Sequence, residues 1–277
     1  MSKMLSPVMV ERFKRDGFAF PIPVLAPEEI TSFQLYCARL DLSTPSAPLS
    51  WRTHLHLHFR WAYELATHSA VLDAVEDVLG PDFIILSTIM FAKRPGREFV
   101  SWHQDGRYLV RDEGPALALS AWIALTESSS VGGCLRAIPG SHRLGPLPHR
   151  CTHEHGNLLL RGETIIADVD ESRAVDMPLG PGQMSLHHVD TLHGSGPNRG
   201  SEKRIGFTVR YAHPCVASTR SSAPAVLARG RDRFGKYPVL QTLPPADFTQ
   251  GLRSLQKAIT CGPSGDEPAQ NTGVRRD

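Results

Sequence analysis

Beyond Asp82 the apolar residues of this chain stop recurring at every third or fourth position and begin to alternate, and no other feature restricts its fold as much. Residues 82–92, 99–105, 117–126, 133–138, 174–178, 183–189 and 204–212 each read as a β-strand bounded by Gly and Pro clusters. The connections are long and irregular, and no strand–helix alternation of a parallel sheet is present. Many short strands of this kind predict a mainly β, jelly-roll-type sandwich with flanking helices. The 23 glycines and 22 prolines suit the turns that such a fold needs.

Before the change of period, residues 1–80 are mostly helical. Ser6 reads as an N-cap with Pro7 in the first turn, and the helix stops before Gly17. A second helix opens at Pro27-Glu28-Glu29 and carries Ile30, Phe33 and Cys37 on one stripe. Two more helical patterns cover 57–67 and 69–79, the latter ended by Gly80-Pro81. After the core at 81–215 comes an extension, 216–277, in which only 247–259 reads as a helix and GDEPAQNTGVRRD reads as a disordered tail. A chain of 277 residues without internal repeats fits one domain, 1–277.

Charge and cysteines exclude several classes. Thirty basic and 28 acidic residues, with no basic cluster, argue against nucleic acid as a partner. The cysteines at 37, 134, 151, 215 and 261 form no CxxC pair, so neither a zinc ribbon nor a disulfide framework is indicated. MSKMLSPVMVERFKRDGF lacks the apolar core of a signal peptide, and Phe83 to Ala92 is too short to span a bilayer. The expectation is a soluble, cytoplasmic protein with a small-molecule partner.

The chemistry starts at Ser101-Trp102-His103-Gln104-Asp105. A strand here points His103 and Asp105 to one face and Gln104 to the other. An imidazole and a carboxylate so placed can bind one metal ion, and a third ligand must come from elsewhere. His193, in Leu192-His193-Gly194-Ser195-Gly196-Pro197-Asn198, is the candidate; His187 and His188 compete, and only one of these can face inward on 183–189. Two histidines and one carboxylate leave other coordination positions open, as suits Fe(II) that activates oxygen, although the same set binds zinc. In 204–212, Ile205, Phe207, Val209 and Tyr211 form an apolar face opposite Arg204, Gly206, Thr208 and Arg210. A polar, basic inner face implies a pocket for an anion, and the fork of Arg204 matches a carboxylate.

Together with Trp122-Ile123-Ala124-Leu125, Gly133-Cys134-Leu135 and Ile138-Pro139-Gly140-Ser141-His142, these pieces run in an order that resembles the phytanoyl-CoA dioxygenase-like branch of the Fe(II)/2-oxoglutarate-dependent oxygenases. The resemblance covers roughly residues 8–215. It implies a double-stranded β-helix core of the cupin-like type, with Fe(II) held by His103, Asp105 and His193. It further implies 2-oxoglutarate anchored by Arg204 and Ser195 with Trp122 close by, and O2 as the oxidant. The implied reaction hydroxylates an unactivated C–H bond of a small molecule in secondary metabolism or catabolism, releasing succinate and CO2. Desaturation or ring chemistry at the same site, and a non-catalytic metal-binding jelly roll, are the alternatives. Halogenating relatives lack the carboxylate that Asp105 supplies, so its presence favours hydroxylation. Lys203 stands before Arg204 where a second Arg is common, and nothing here resembles a coenzyme A-binding element.

For the substrate side, His54-Leu55-His56-Leu57-His58 puts all three histidines on one face of a strand, but only His54 and His58 on one face of a helix. No cysteine or carboxylate accompanies them, so a second metal site does not follow. With Arg60 and Trp61 the stretch edges the substrate pocket. The residues expected to face substrate are Gln104, Arg107, His56 and Arg60, with Gln104 meeting substrate or supporting the ligands rather than touching the metal.

Overall fold

The computed structural model describes residues 3–44, 49–110, 117–152, 154–159, 161–218 and 224–261. Helix α1 (Pro7–Asp16) begins as its sequence dictates, with the Ser6 side chain accepting from the Met9 amide. It ends at Gly17, whose φ of 86° is left-handed and whose amide donates to Phe13 O at 2.8 Å. Strand β1 (Phe18–Pro23) follows, between the two expected helices, where the sequence reading places no strand. It is an edge strand, and Pro21 and Pro23 are tolerated there because an edge leaves one row of amides unpaired. Helix α2 (Pro27–Ser43) leads to a 3-10 turn at Leu55–Leu57, then to α3 (Arg60–Ala66) and α4 (Ser69–Leu79).

The strands come next, in chain order β2 (Phe83–Lys93), β3 (Val100–His103), β4 (Leu109–Val110), β5 (Ala118–Ala124), β6 (Leu135–Ala137), β7 (His149–Cys151) and β8 (Glu163–Ile165). They continue with β9 (Val175–Met177), β10 (Gln183–His188), β11 (His193–Ser195), β12 (Arg204–Ala212), β13 (Ala217–Ser218) and β14 (Val226–Arg229), before the last helix, α5 (Phe248–Cys261). A six-stranded sheet in the order β1-β10-β5-β12-β2-β14 faces a four-stranded sheet in the order β3-β11-β6-β9. Every one of these pairings is antiparallel, so the architecture is the expected jelly roll. The expected strands are all present. β1, β11, β14 and the short pairs β4–β13 and β7–β8 go beyond them, because segments of two to six residues carry too little alternation to read. The tail from residue 265 lies outside the described residues.

Strand β12 shows how the layers form. Its outer side chains pack under the helices: Phe207 lies 6.0 Å from Trp61 between ring centroids, and Tyr211 meets Phe83 edge-on and donates to Ala66 O at 2.6 Å. Each such fully buried side chain contributes about 1.5–3 kcal/mol. Its inner side chains, Arg204, Gly206, Thr208 and Arg210, face the second sheet. Helix α5 closes the helical layer, with Phe248 against Phe59 at 5.2 Å and Gly251 so close that an added Cβ would lie 2.5 Å from the Phe59 ring. No helix among the described residues is long and apolar enough to cross a membrane.

Candidate active site

Between the two sheets lies a cavity of about 270 Å³, walled by residues of β2, β3, β5, β6, β10, β11 and β12. His103 is the last residue of β3, Gln104 is still extended (φ −123°, ψ 132°), and Asp105 opens a 3-10 turn. The strand ends earlier than expected, yet the extended Gln104 keeps the alternation, and His103 and Asp105 share a face. β11 pairs with β3 in the register His193↔His103. That brings one ligating atom from each of His103, Asp105 and His193 within 4.8 Å of the others, all three residues buried.

The local bonds aim these atoms. His103 Nδ1 meets Ser101 O at 2.9 Å and His193 Nδ1 meets Thr191 O at 2.9 Å, which leaves both Nε2 lone pairs directed at the shared centre. Burial pushes the pKa of both imidazoles down, that of His193 further, so both are the neutral form a metal requires. Asp105 is buried too, which by itself raises a carboxyl pKa. The Arg210 guanidinium foremost, with His187, His193 and His103, reverses this and holds it well below the usual carboxylate range.

The carboxylate is gripped from the opposite sheet. The register Ser87↔Arg210↔Ser120↔His187 places four polar side chains in one row across β2, β12, β5 and β10. From that row Arg210 Nη2 reaches Asp105 Oδ1 at 2.5 Å and Ser120 Oγ donates to Oδ2 at 2.5 Å, while His187 Nε2 stands 3.5 Å from Oδ2. Of the two histidines that compete with His193, His187 therefore faces inward beside the ligands. His188 faces away, towards Asp190 and the His142 ring.

Gln104 links the two ligand-bearing segments. Its amide donates to Asp190 O and Gly145 O, both at 2.8 Å, and accepts from the Leu147 amide at 2.8 Å. The turn before His193 is anchored again by helix α1, because His188 N and Thr191 Oγ1 both donate to Gly17 O, at 2.8 and 2.9 Å. An added Cβ at Gly17 would lie 2.6 Å from Thr191 Oγ1, so the helix cap and the ligand turn fit only around glycine.

At the other end of β12 is a second cluster. Arg204 is buried, lies 5.0 Å over the Trp122 ring and donates to Gly133 O at 2.5 Å. Directly across from it on β2 is Lys93, fully buried, whose Nζ donates to Ser195 Oγ and Gly196 O at 2.6 Å. Burial lowers Arg204 to about 10, and burial with the Arg204 charge lowers Lys93 to about 6. A buried guanidinium thus sits beside a buried amine that takes up its proton only below about pH 6 unless an anion arrives, and no carboxylate among the described residues lies within ion-pair distance of either. Such an arrangement can receive an anion. Sequence reasoning misses Lys93, because the strand read as 82–92 stops one residue short of it. The inward series Ser87, Ile89, Phe91, extended by one step, points to it.

The other substrate candidates divide. Arg107 lines the cavity. His56 and Arg60 are not on its wall: His56 is fully buried with Nδ1 3.0 Å from Thr88 Oγ1, and Arg60 Nε donates to Pro244 O at 3.0 Å. The stretch 54–58 is a 3-10 turn rather than a strand, so its histidines diverge. His58 goes to Ser254 Oγ at 2.9 Å, and His54 alone lines the cavity.

A jelly roll with a His-Asp-His metal cluster and a basic anion pocket defines a non-haem Fe(II)/2-oxoglutarate-dependent oxygenase, a class of enzymes that use Fe(II) as cofactor and 2-oxoglutarate as co-substrate. Within it the chain belongs to the phytanoyl-CoA dioxygenase family, whose model matches residues 13–206. It is 28% identical over 217 residues to a probable alpha-ketoglutarate-dependent hypophosphite dioxygenase of Stutzerimonas stutzeri, covering 74% of each chain. Among solved structures it is similar to the apo form of the non-heme monooxygenase ThoJ, with a TM-score of 0.76 and 35% identity over 91% of this chain and 95% of that one. CytC3 with Fe(II) and alpha-ketoglutarate superposes with a TM-score of 0.65 and 26% identity, over 88% and 95% of the two chains.

Proposed function

We propose that this oxygenase hydroxylates an unactivated C–H bond of a small molecule, with succinate and CO2 as co-products. His103, Asp105 and His193 hold the iron; Arg204, Ser195 and Trp122, with Lys93, hold 2-oxoglutarate. The observation that carries the reading is the joint presence of a three-residue His-Asp-His cluster and, at the other end of the same cavity, buried Arg204 with Lys93 behind it, neither paired to a carboxylate among the described residues. The donor set fits Fe(II): two neutral imidazoles and one carboxylate, no thiolate, and free cavity on the remaining side. When bound, iron and 2-oxoglutarate supply the oxidising power through oxidative decarboxylation. The protein's own residues supply placement. Arg210, Ser120 and His187 fix the Asp105 carboxylate, the carbonyls of Ser101 and Thr191 fix the imidazoles, and the apolar wall of Leu86, Ile89, Phe91, Leu109 and Leu135 keeps the reacting carbon dry. Asp105 occupies a ligand position that a halide would otherwise need, which favours hydroxylation. The description of ThoJ as a non-heme monooxygenase supports the same outcome.

The test is succinate formation from 2-oxoglutarate in air by the full chain loaded with Fe(II) or with Zn(II). Turnover with Fe(II) alone is expected, together with a visible charge-transfer band when 2-oxoglutarate is added anaerobically. Absence of both with Fe(II) would leave the non-catalytic metal-binding jelly roll as the better reading, although that reading gives Arg204 and Lys93 nothing to do.

A further inference from the structure

His54 is the one non-glycine residue among those described with a positive φ (φ 53°, ψ 26°). Its neighbours fix this backbone. Thr53 is bridged to Ile89 of β2, His54 N donates to Thr88 O at 2.7 Å, and Leu57 N donates back to His54 O at 2.9 Å as the chain turns inward to bury Leu55 and Phe59. The turn needs a left-handed residue, and glycine or asparagine would meet that need with less strain. A histidine kept in such a conformation points to a use for its side chain.

The imidazole lies on the cavity wall, and its buried Nδ1 has no hydrogen-bond partner; the ring near it is that of His56, at 6.0 Å between centroids. Burial, with the charges of His58 and Arg210, pushes its pKa down to about 4, so it offers one donor and one acceptor and no charge. Thr53, the residue before it, is bridged to Ile89, which pairs on its other side with Thr208; Thr208 also lines the cavity, and its Oγ1 is buried without a partner. Around them the wall is apolar, with Leu86, Ile89 and Leu109.

We propose that His54 and Thr208 form the substrate-recognition subsite of this cavity and receive a hydroxyl or carbonyl group of an otherwise apolar, uncharged small molecule. The inference rests on the cavity being the oxygenase active site. A cation is disfavoured there, because Arg107, Arg161 and Arg210 line the cavity and Glu163 is the one lining carboxylate besides Asp105 among the described residues. An anion is better served at the Arg204–Lys93 end than by a neutral imidazole. A hydrogen bond at His54 would anchor the molecule on the Arg210 side and so decide which of its carbons faces the ligand cluster.

The experiment uses four probes with one ring and different heads: cyclohexanol, methylcyclohexane, cyclohexanecarboxylate and cyclohexylammonium. Their binding to the metal-free full chain is followed by ligand-observed NMR, with saturating 2-oxoglutarate present so that the Arg204–Lys93 end is filled. In parallel, 2-oxoglutarate binding to the Fe(II)-loaded chain is titrated anaerobically, so that failure of the oxygenase reading shows there and not in the probe series. Cyclohexanol is expected to bind about three- to tenfold more tightly than methylcyclohexane and than either charged probe, as one net hydrogen bond allows. His54→Gly keeps the left-handed turn and should abolish this preference; His54→Asn should keep part of it, and Thr208→Val should reduce it. Tightest binding of the carboxylate or the ammonium, or an alcohol preference that survives His54→Gly, overturns the proposal.

Discussion

Gly206→Ala tests the anion end of the cavity without touching any charged group. Gly206 sits on the inner face of β12, and a Cβ built there would lie 2.0 Å from Trp122 Cζ2 and 2.3 Å from Cε2. Carbon–carbon contacts are comfortable at about 3.5–4.0 Å, so the indole must retreat by roughly 1.5–2 Å. Trp122 is 3% exposed and lines the cavity, so a retreat on that side crowds the anion end, which makes this overpacking with a cost of about 1–3 kcal/mol. The retreat also removes the ring face over which Arg204 lies at 5.0 Å, a contact of about 2 kcal/mol when desolvated. Denaturant unfolding should register the first loss, and anaerobic titration with 2-oxoglutarate should register about a tenfold loss of affinity. Trp122→Phe removes the indole atoms that clash, so the double variant should recover part of the stability, with a coupling of about 0.5–3 kcal/mol. Unchanged 2-oxoglutarate affinity in Gly206→Ala, or strict additivity with Trp122→Phe, would refute the reasoning.

Arg204→Ala should weaken 2-oxoglutarate binding by about 2–5 kcal/mol in the same titration, and Arg204→Lys should restore only part, because a point charge does not replace the fork. His103→Ala and His193→Ala should each abolish Fe(II) binding and succinate formation and leave the circular dichroism spectrum intact; metal loss in His187→Ala with retention in His193→Ala would reverse the ligand assignment. Asp105→Ala should also destabilise the metal-free protein, by at most about 3 kcal/mol, because it leaves the half-buried Arg210 guanidinium without its carboxylate; equal stability of the Asp105→Ala and His103→Ala apoproteins would contradict this. Lys93 is lowered to about 6 in the fold from an ordinary 10.5, so the unfolded chain binds the extra proton between those values and stability should rise with pH from about 6 to about 10. Lys93→Met should flatten that slope in denaturant titrations across the range.

The long strands and helix α1 are legible in the sequence because each carries a local signal. So is the cluster that could hold a metal, because His103 and Asp105 are near neighbours in the chain and His193 sits in a Gly-rich run. What is not legible depends on the sheet register. Nothing near Ser120 marks it as a partner of Asp105; it becomes one only because β5 lies between β10 and β12. Gln104 looks like a residue available to substrate until its three backbone partners are seen, and these come from 41 to 86 residues away. The alternation at 54–58 fits a strand or a helix, and the left-handed backbone at His54, which no periodicity reports, sends its histidines in three directions. A one-residue bulge between β2 and β12 likewise turns both Leu86 and Ser87 towards the cavity, where strict alternation admits one.

Register is also what ties stability to chemistry in this chain. Each of the four inner residues of β12 serves the cavity in its own way. Arg204 faces the anion pocket, Gly206 leaves room for Trp122, Thr208 offers a free hydroxyl and Arg210 holds Asp105. A slip of one residue would send Ile205, Phe207, Val209 and Tyr211 into the cavity instead. The outer face prevents that slip, through Phe207 on Trp61, Tyr211 on Phe83, and the bond from the Tyr211 hydroxyl to Ala66 O. None of these groups reaches the cavity, yet they fix where the inner side chains stand. The helices packed outside the main sheet are in this sense part of the active-site apparatus: they hold the strand whose other face does the binding.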